Sequence, residues 1–263
     1  MQINHALRRT LCVVACSMAF ASTLVINAAT AEEPAALTDA QTVAVERLIR
    51  AYILKNPDIL LEAQAALESR AETQRVDVIH KHLAANAEAI YRDASLPVAG
   101  NPKGDVTVVE FMDYNCPYCR KASADIAKLI ASDSNVRVLF QEFANLGAAS
   151  EAVAKLVIAA NRQGRYYAFH RALMEVKGPM TEARALEIAT KLGLDSALLK
   201  RDAATDAAKS VVVNAKALAA KLSIEGTPMF LIGDHYISGM PDTFYADLTR
   251  HVAEVRKDGC KIC

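Results

Sequence analysis

Two hydrophobic patterns alternate along the middle of the chain, one typical of buried strands and one typical of helices. The apolar, β-branched run at residues 106–110 predicts a buried strand, and residues 136–143 predict the next one. Between them, residues 121–132 carry apolar side chains at helical spacing and predict a helix. Residues 96–104, which are rich in proline and glycine, are predicted to be a loop leading into the first strand.

The C-terminal half continues with helices and a hairpin. Residues 150–220 are almost wholly helical by composition, apart from breaks at glycine. Two further strands are then predicted around a Gly233-Asp234 turn, at residues 229–232 and 235–238. A final helix opens at Pro241 and runs to about Lys257. This order of elements predicts an α/β fold in which helices are inserted between two strands and a C-terminal hairpin.

A long helical pattern precedes the α/β region. Thr38 and Gln41 fit a capping box that opens a first helix, which runs through Lys55. Asn56-Pro57-Asp58 then supplies a cap, a proline at the first helical position and an acidic first turn. The second helix is predicted to run to about Arg92, which makes it on the order of 50 Å long.

An apolar stripe with near-heptad spacing follows this second helix. Its members are Leu60, Leu67, Val76, Ile79, Leu83 and Ile90. Such a stripe needs an apolar partner. We expect residues 32–94 to be a helical region that forms a homo-oligomer; the alternative is that the stripe packs back on its own domain, residues 95–263.

The N-terminus has the features of a secretory signal. Arg8 and Arg9 precede an apolar stretch, and small residues lead to an A-x-A-like site that ends at Ala31. We expect residues 1–31 to be a cleaved signal peptide that directs the protein to the periplasm; an uncleaved membrane anchor is the alternative.

The candidate chemistry lies where the first strand ends and the following helix begins, in Cys116-Pro117-Tyr118-Cys119. Proline is tolerated at the first helical position, so Cys116 is placed at a helix N-terminus, where amide groups and the helix dipole favour a thiolate. We therefore predict a redox dithiol with Cys116 as nucleophile and Cys119 as resolving thiol. Half of a zinc site and an inert structural disulfide are the alternatives.

The stretch resembles the active site of the DsbA-like branch of the thioredoxin superfamily, the periplasmic thiol–disulfide oxidoreductases. Glu110, six residues before Cys116, matches an acid that such proteins bury beneath the dithiol, and Thr227-Pro228 matches their cis-proline loop. The long helical extension is similar to that of the suppressor-of-copper-sensitivity C-type proteins. The similarity covers about residues 38–258.

This resemblance implies a thioredoxin fold with a helical insertion at about residues 147–220. It implies that Glu110 moves protons to and from the Cys119 sulfur. It also implies substrate binding at Pro117, Tyr118 and the Thr227-Pro228 loop. His170 and the Tyr166-Tyr167 pair lie in the insertion and are interpreted as packing residues. No cofactor and no catalytic metal are predicted.

The charge balance and the cysteine content limit the possible partners and bear on the cellular compartment. The whole chain has 30 basic and 30 acidic residues, and cleavage would remove two of the basic ones. No basic patch indicates a nucleic-acid partner. Export would leave four cysteines in an oxidising compartment. For the tail pair, Cys260 and Cys263, a local second disulfide is our first choice; a relay redox pair and a copper(I) site are the alternatives.

These features predict thiol–disulfide exchange on unfolded or misfolded exported proteins that contain cysteines, with a membrane redox partner that resets the dithiol. Threonine before the proline and the long N-terminal helix favour a disulfide isomerase or reductase over a DsbA-type oxidase. Two other classes remain open. One is a copper-handling envelope protein, and the other is an interaction protein whose cellular role would survive Cys116→Ser.

Overall fold

A computed structural model of the chain describes residues 37–263, so the predicted signal peptide lies outside the described residues. The described part divides into two compact units, one ending at Ala63 and the other spanning Gln64–Cys263. No helix in residues 37–263 is both long and apolar enough to cross a membrane.

The N-terminal unit contains helix α1, Asp39–Lys55, and the start of helix α2, which is Asp58–Ala85. The capping box forms as the sequence predicts: the Gln41 backbone N–H donates to Thr38 Oγ1, and the Thr38 backbone N–H donates to Gln41 Oε1 at 2.9 Å. No residue of α1 is buried. Its large apolar side chains, among them Leu48, Ile49 and Tyr52, are therefore exposed in the single chain.

The second helix is shorter than the sequence predicts. It ends at Ala85, and a separate short helix, α3 (Ala87–Tyr91), follows, so the single helix to about Arg92 is corrected. The break is at Asn86, whose side chain donates to the carbonyl of His82 at 2.8 Å and thereby competes with the helical backbone hydrogen bonds.

The residues around this break belong to the second compact unit. Leu83, Ile90 and Tyr91 are buried in one cluster with Val109 and Leu231 of the sheet. The units therefore divide at Ala63, whereas the sequence placed the domain boundary after residue 94. The physical reason is that the apolar residues at the end of the predicted extension pack against the sheet.

A mixed five-stranded sheet forms the centre of this unit, in the order β1-β3-β2-β4-β5. Strand β2 runs parallel to β3 and antiparallel to β4. The strands are β1 Val98–Gly100, β2 Val106–Met112, β3 Val136–Glu142, β4 Met229–Ile232 and β5 His235–Ser238. Strand β1 lies in the predicted loop; only its middle residue is buried, so three residues carried too little pattern to indicate a strand.

Helices cover both faces of the sheet. The helices that follow α3 are α4 Pro117–Ser132, α5 Ala148–Asn161, α6 Tyr166–Met174, α7 Glu182–Lys191, α8 Ser196–Ala203, α9 Asp206–Lys221 and α10 Phe244–Asp258. Apolar residues of α4 and α10 share a core with Val108 and Phe140, and those of α3 and α9 share a core with Val109 and Leu139. Helices α5 to α9 form the helical insertion of a thioredoxin fold, as predicted.

The C-terminal tail is held against this unit. Cys260 and Cys263 are joined in a disulfide, the arrangement that we placed first among the alternatives. Arg92 donates to the backbone carbonyl of Cys263 at 2.7 Å. Both tail sulfurs are therefore bonded to each other, and neither offers a free thiolate.

We predict that Ile90→Ala destabilises the second unit by about 2–5 kcal/mol, because it removes methyl groups from a fully buried site. Ile90 is 0 % exposed, whereas Val213 on α9 is 62 % exposed and serves as the matched control. Urea unfolding of Val213→Ala should change little. Equal effects of the two substitutions would contradict the placement of α3 in the core.

Candidate active site

The two central cysteines lie at the corner between β2 and α4, as the sequence predicts. Pro117 is the first residue of α4, and Cys116 is its N-cap with extended backbone angles of φ −79° and ψ 119°. Both thiols are free; Cys116 is 4 % exposed and Cys119 is 0 % exposed. The corner therefore buries both thiols and leaves only Cys116 slightly exposed.

The surroundings of Cys116 favour its thiolate. A hydrogen bond from Cys119 is the largest cause that lowers the pKa of the Cys116 thiol, to about 5. Burial opposes this shift, while the Thr227 side chain and the backbone N–H groups of Cys119 and Tyr118 add to it. At neutral pH Cys116 is therefore ionised, which is the state that attacks a disulfide.

Cys119 behaves in the opposite way. Burial raises the pKa of the Cys119 thiol far above its usual value, and the neighbouring Cys116 and Glu110 raise it further. The dithiol is therefore asymmetric, with one sulfur charged and one protonated. Such a pair can form a mixed disulfide through Cys116 and hold the second thiol in reserve.

Glu110 lies on β2 beneath the dithiol and is 1 % exposed. It pairs with Phe140 on one side and Phe230 on the other, and neither carboxyl oxygen has a hydrogen-bond partner among the described residues. Burial raises the pKa of this carboxyl well above its usual value, and the charges of Glu142 and Cys116 raise it further. Burial therefore favours the protonated form of Glu110, whose carboxyl group can donate or accept a proton within the core.

The predicted Thr227-Pro228 loop faces the dithiol. The peptide bond between these two residues is cis, and the Cys116 thiol lies 3.2 Å from the carbonyl oxygen of Thr227. Pro228 is buried, while Tyr118 is 60 % exposed. The loop leads directly into β4, whose pairing with β2 holds it next to the active-site corner.

A polar network that sequence reasoning missed fixes the loop before Cys116. The buried Asp113 carboxylate accepts from the Asn115 backbone N–H and the Ser150 hydroxyl, both at 2.7 Å, and from the Leu146 backbone N–H at 2.9 Å. The Asn115 side chain exchanges two hydrogen bonds with the backbone of Met180. Only the position of Asp113 and Asn115 beside the cysteines could have indicated them, because their partners are distant in the sequence.

A second buried network lies next to Glu110. The hydroxyls of Tyr166 and Tyr114 donate to Glu142 Oε1 at 2.6 Å and 3.1 Å, and the Tyr114 oxygen lies 3.0 Å from His170 Nδ1. Burial raises the pKa of Glu142 to about 8, although the hydrogen bonds from Tyr166 and Tyr114 act to lower it. Burial also lowers the pKa of His170 to about 3. His170 and Tyr166 are packed inside the core, and they also belong to a network that reaches an acid.

Family models match two parts of the chain. A model described as the DSBA-like thioredoxin domain matches residues 107–247, which contain the dithiol, Glu110 and the cis-proline loop. A model described as the copper resistance protein ScsC N-terminal domain matches residues 41–74.

Two solved structures are also similar to this chain. A thioredoxin-like oxidoreductase from Silicibacter pomeroyi DSS-3 is 42 % identical over 65 % of this chain and 98 % of its own, with a TM-score of 0.63. A linker-deletion variant of Proteus mirabilis ScsC is 28 % identical over 86 % of this chain and 100 % of its own, with a TM-score of 0.64.

Among curated proteins, the disulfide bond formation protein D of Bacillus subtilis (strain 168) is 29 % identical over 164 residues, which cover 56 % of this chain and 71 % of that protein. The chain also aligns with two Na(+)/H(+) antiporters, from Salinispora arenicola and Salinispora tropica. It spans only 21 % of the length of each.

We predict that the ultraviolet absorbance of the Cys116 thiolate titrates with a midpoint near pH 5. Cys119→Ala should raise this midpoint, because it removes the hydrogen bond that lowers the Cys116 pKa most. Cys119→Ser keeps a hydroxyl donor and should raise it less. A midpoint that is the same in all three proteins would show that Cys119 does not stabilise the thiolate.

We predict that Glu142→Gln stabilises the chain increasingly, relative to the parent, as the pH rises from about 5 to about 8. The folded chain keeps a proton on Glu142 over this range, whereas the unfolded chain loses it, so parental stability is lost as pH rises towards the folded pKa of about 8. Each pKa unit corresponds to about 1.4 kcal/mol, so the gain should be on the order of 2–4 kcal/mol.

This measurement uses urea unfolding with Cys116 and Cys119 oxidised, so that neither thiol titrates. Glu225→Gln, at an exposed position, is the matched control and should show the parental pH dependence. A pH-independent difference between Glu142→Gln and the parent would contradict a buried, protonated Glu142.

Proposed function

The chain belongs to the family of DSBA-like thioredoxin domains, and from this premise we propose that it is a periplasmic thiol–disulfide oxidoreductase that acts as a disulfide isomerase or reductase on exported proteins. The observation that carries the proposal is the asymmetric dithiol. Cys116, with a pKa of about 5, lies beside the cis Thr227-Pro228 loop, and the protonated Cys119 is buried beneath it.

The first step is common to both activities. The Cys116 thiolate attacks a substrate disulfide, the substrate S–S bond breaks, and a mixed disulfide forms as one substrate cysteine leaves as thiolate. The exposed Tyr118 and the loop at Thr227 and Pro228 would contact the substrate chain around this bond.

The second step separates isomerase from reductase. In isomerisation a thiolate of the substrate attacks the mixed disulfide, a new substrate disulfide forms and Cys116 leaves as thiolate. In reduction Cys119 loses its proton and attacks Cys116 Sγ, which releases the second substrate thiolate and leaves a Cys116–Cys119 disulfide. A membrane redox partner would then reduce this disulfide.

Glu110 is the proposed proton carrier for Cys119. While Cys116 is a thiolate, its charge is one of the causes that raise the pKa of Glu110. Formation of the mixed disulfide removes that charge, so Glu110 ionises more readily at the moment when Cys119 must lose its proton. The reverse transfer returns the proton when the dithiol is regenerated.

The N-terminal unit supports isomerase or reductase over oxidase, whereas the low pKa of Cys116 suits either activity, because a low pKa also stabilises the reduced dithiol of an oxidase. The N-terminal unit exposes apolar residues of α1, among them Leu48 and Tyr52, and residues 41–74 match the ScsC N-terminal domain. We propose that this unit joins copies of the chain into a homo-oligomer, so that several dithiols face one misfolded substrate.

Copper(I) binding by Cys116 and Cys119 is a second candidate function. The match of residues 41–74 to a domain described as part of a copper resistance protein favours it, and soft thiolates select copper(I). The tail cysteines are joined to each other and contribute no thiolate. Stoichiometric copper(I) uptake against a competing chelator, abolished by Cys116→Ser, would be its signature.

We predict that the reduced mature protein reactivates a scrambled protein with several disulfides, and that Cys116→Ser abolishes this activity because it removes the nucleophile. A double variant, Leu48→Glu with Tyr52→Glu, should keep its reaction with a small disulfide but reactivate less, since charges on the exposed face of α1 oppose self-association.

The control is the double variant Cys260→Ser and Cys263→Ser, which leaves the dithiol intact and should reactivate like the parent. Rapid oxidation of a reduced substrate by the oxidised protein, without reactivation, would instead identify a DsbA-type oxidase. Failure of both reactions would leave copper binding or an interaction role.

A further inference from the structure

Three polar side chains that the dithiol chemistry does not use meet at the far end of the C-terminal hairpin. His235 is the first residue of β5, and His251 and Glu254 lie one turn apart on α10. Because α10 packs against β4 and β5, these side chains from two elements face each other. In the part of the chain that the structure describes, this is the only group of three such side chains with metal-ligand spacing.

The distances within this histidine–glutamate cluster suit one small cation. Glu254 Oε2 lies 3.0 Å from His251 Nδ1 and 3.7 Å from His235 Nε2, and the two imidazole rings stack with centroids 4.4 Å apart. All three donor atoms lie within 4.8 Å of one another. Two donors about 2.0–2.1 Å from a tetrahedral ion lie about 3.3 Å apart, which falls between the two measured separations.

A cationic side chain already occupies part of the cluster. Arg250 contacts both oxygens of Glu254, at 3.2 Å and 3.4 Å, and its Nη2 lies 3.3 Å from His251 Nε2. The same guanidinium donates to Asp247 at 2.9 Å. A metal ion would therefore displace the Arg250 guanidinium from Glu254. Arg250 would keep its hydrogen bond to Asp247.

The cluster is separate from the dithiol. His235 pairs with Ile232, the last residue of β4, whereas Pro228 precedes the first residue of that strand. The four residue steps from Pro228 to Ile232 span about 13 Å of extended chain. A ligand at the cluster therefore does not contact Cys116.

We propose that His235, His251 and Glu254 bind a divalent transition-metal ion of the zinc type, with water completing a tetrahedral shell. Two imidazoles and one carboxylate are ligands that such ions accept, and imidazole sites also suit copper(II) and nickel(II). The ion links β5 to α10 and so ties the last helix of the chain to the edge strand of the sheet.

We test this with Zn²⁺ titrated calorimetrically into the mature protein whose Cys116 and Cys119 are oxidised, so that thiols cannot bind the ion. The expected result is one Zn²⁺ per chain, with at least a tenfold loss of affinity in both His235→Ala and Glu254→Gln. Arg250→Gln should bind at least as tightly as the parent, because a competing cation is removed. His80→Ala, on a histidine outside the cluster, is the matched control and should bind normally.

A second probe distinguishes loss of the metal site from misfolding of a variant. Co²⁺ in a four-coordinate site gives strong visible absorption, which should appear in the parent and in His80→Ala and vanish in His235→Ala, with circular dichroism showing that each variant is folded. Absence of saturable Zn²⁺ binding by the parent would overturn the proposal. Binding that survives unchanged in folded His235→Ala or Glu254→Gln would also overturn it.

Discussion

The pairing of β2 with β4 is the constraint on which the site depends. In this antiparallel register Phe111 lies opposite Met229, so the strand that leads to the cysteines and the strand that follows the cis-proline loop meet at one edge of the sheet. A slip of one residue would turn Glu110 away from the α4 side of the sheet. The register therefore fixes the positions of the dithiol, Glu110 and the Thr227-Pro228 loop relative to one another.

Two acidic side chains, Glu110 and Glu142, are buried in the site. Placing Glu110 and Glu142 in the core opposes folding whenever they must ionise, because carboxylates lose hydration there. The chain tolerates them because the surrounding sheet and helices bury a continuous apolar core. The same desolvation favours the protonated forms of Glu110 and Cys119. The Cys116 thiolate has another cause, because hydrogen bonds, above all the one from Cys119, lower its pKa against the effect of burial.

The boundary between the two compact units lies within the helical extension rather than at its end. The unit that ends at Ala63 has an apolar helix face without buried residues, while the end of the same helical extension is part of the sheet core. The first unit therefore leaves its apolar side chains exposed, and the second holds all the chemistry described. The histidine–glutamate cluster lies in the second unit too, at the end of β4 remote from the cysteines.

Sequence alone determined the features that depend on neighbouring residues. The strand-to-helix corner with its two cysteines, the capping box at Thr38 and the α/β class follow from residue type and spacing over a few positions. For the tail cysteines, the same short spacing made a local disulfide the first choice over a relay pair and a copper(I) site. The polar network at Asp113, the Glu142 network and the histidine–glutamate cluster join residues from distant segments. Only the tertiary structure decided these, as well as the break at Asn86, because which side chains meet depends on how whole elements pack.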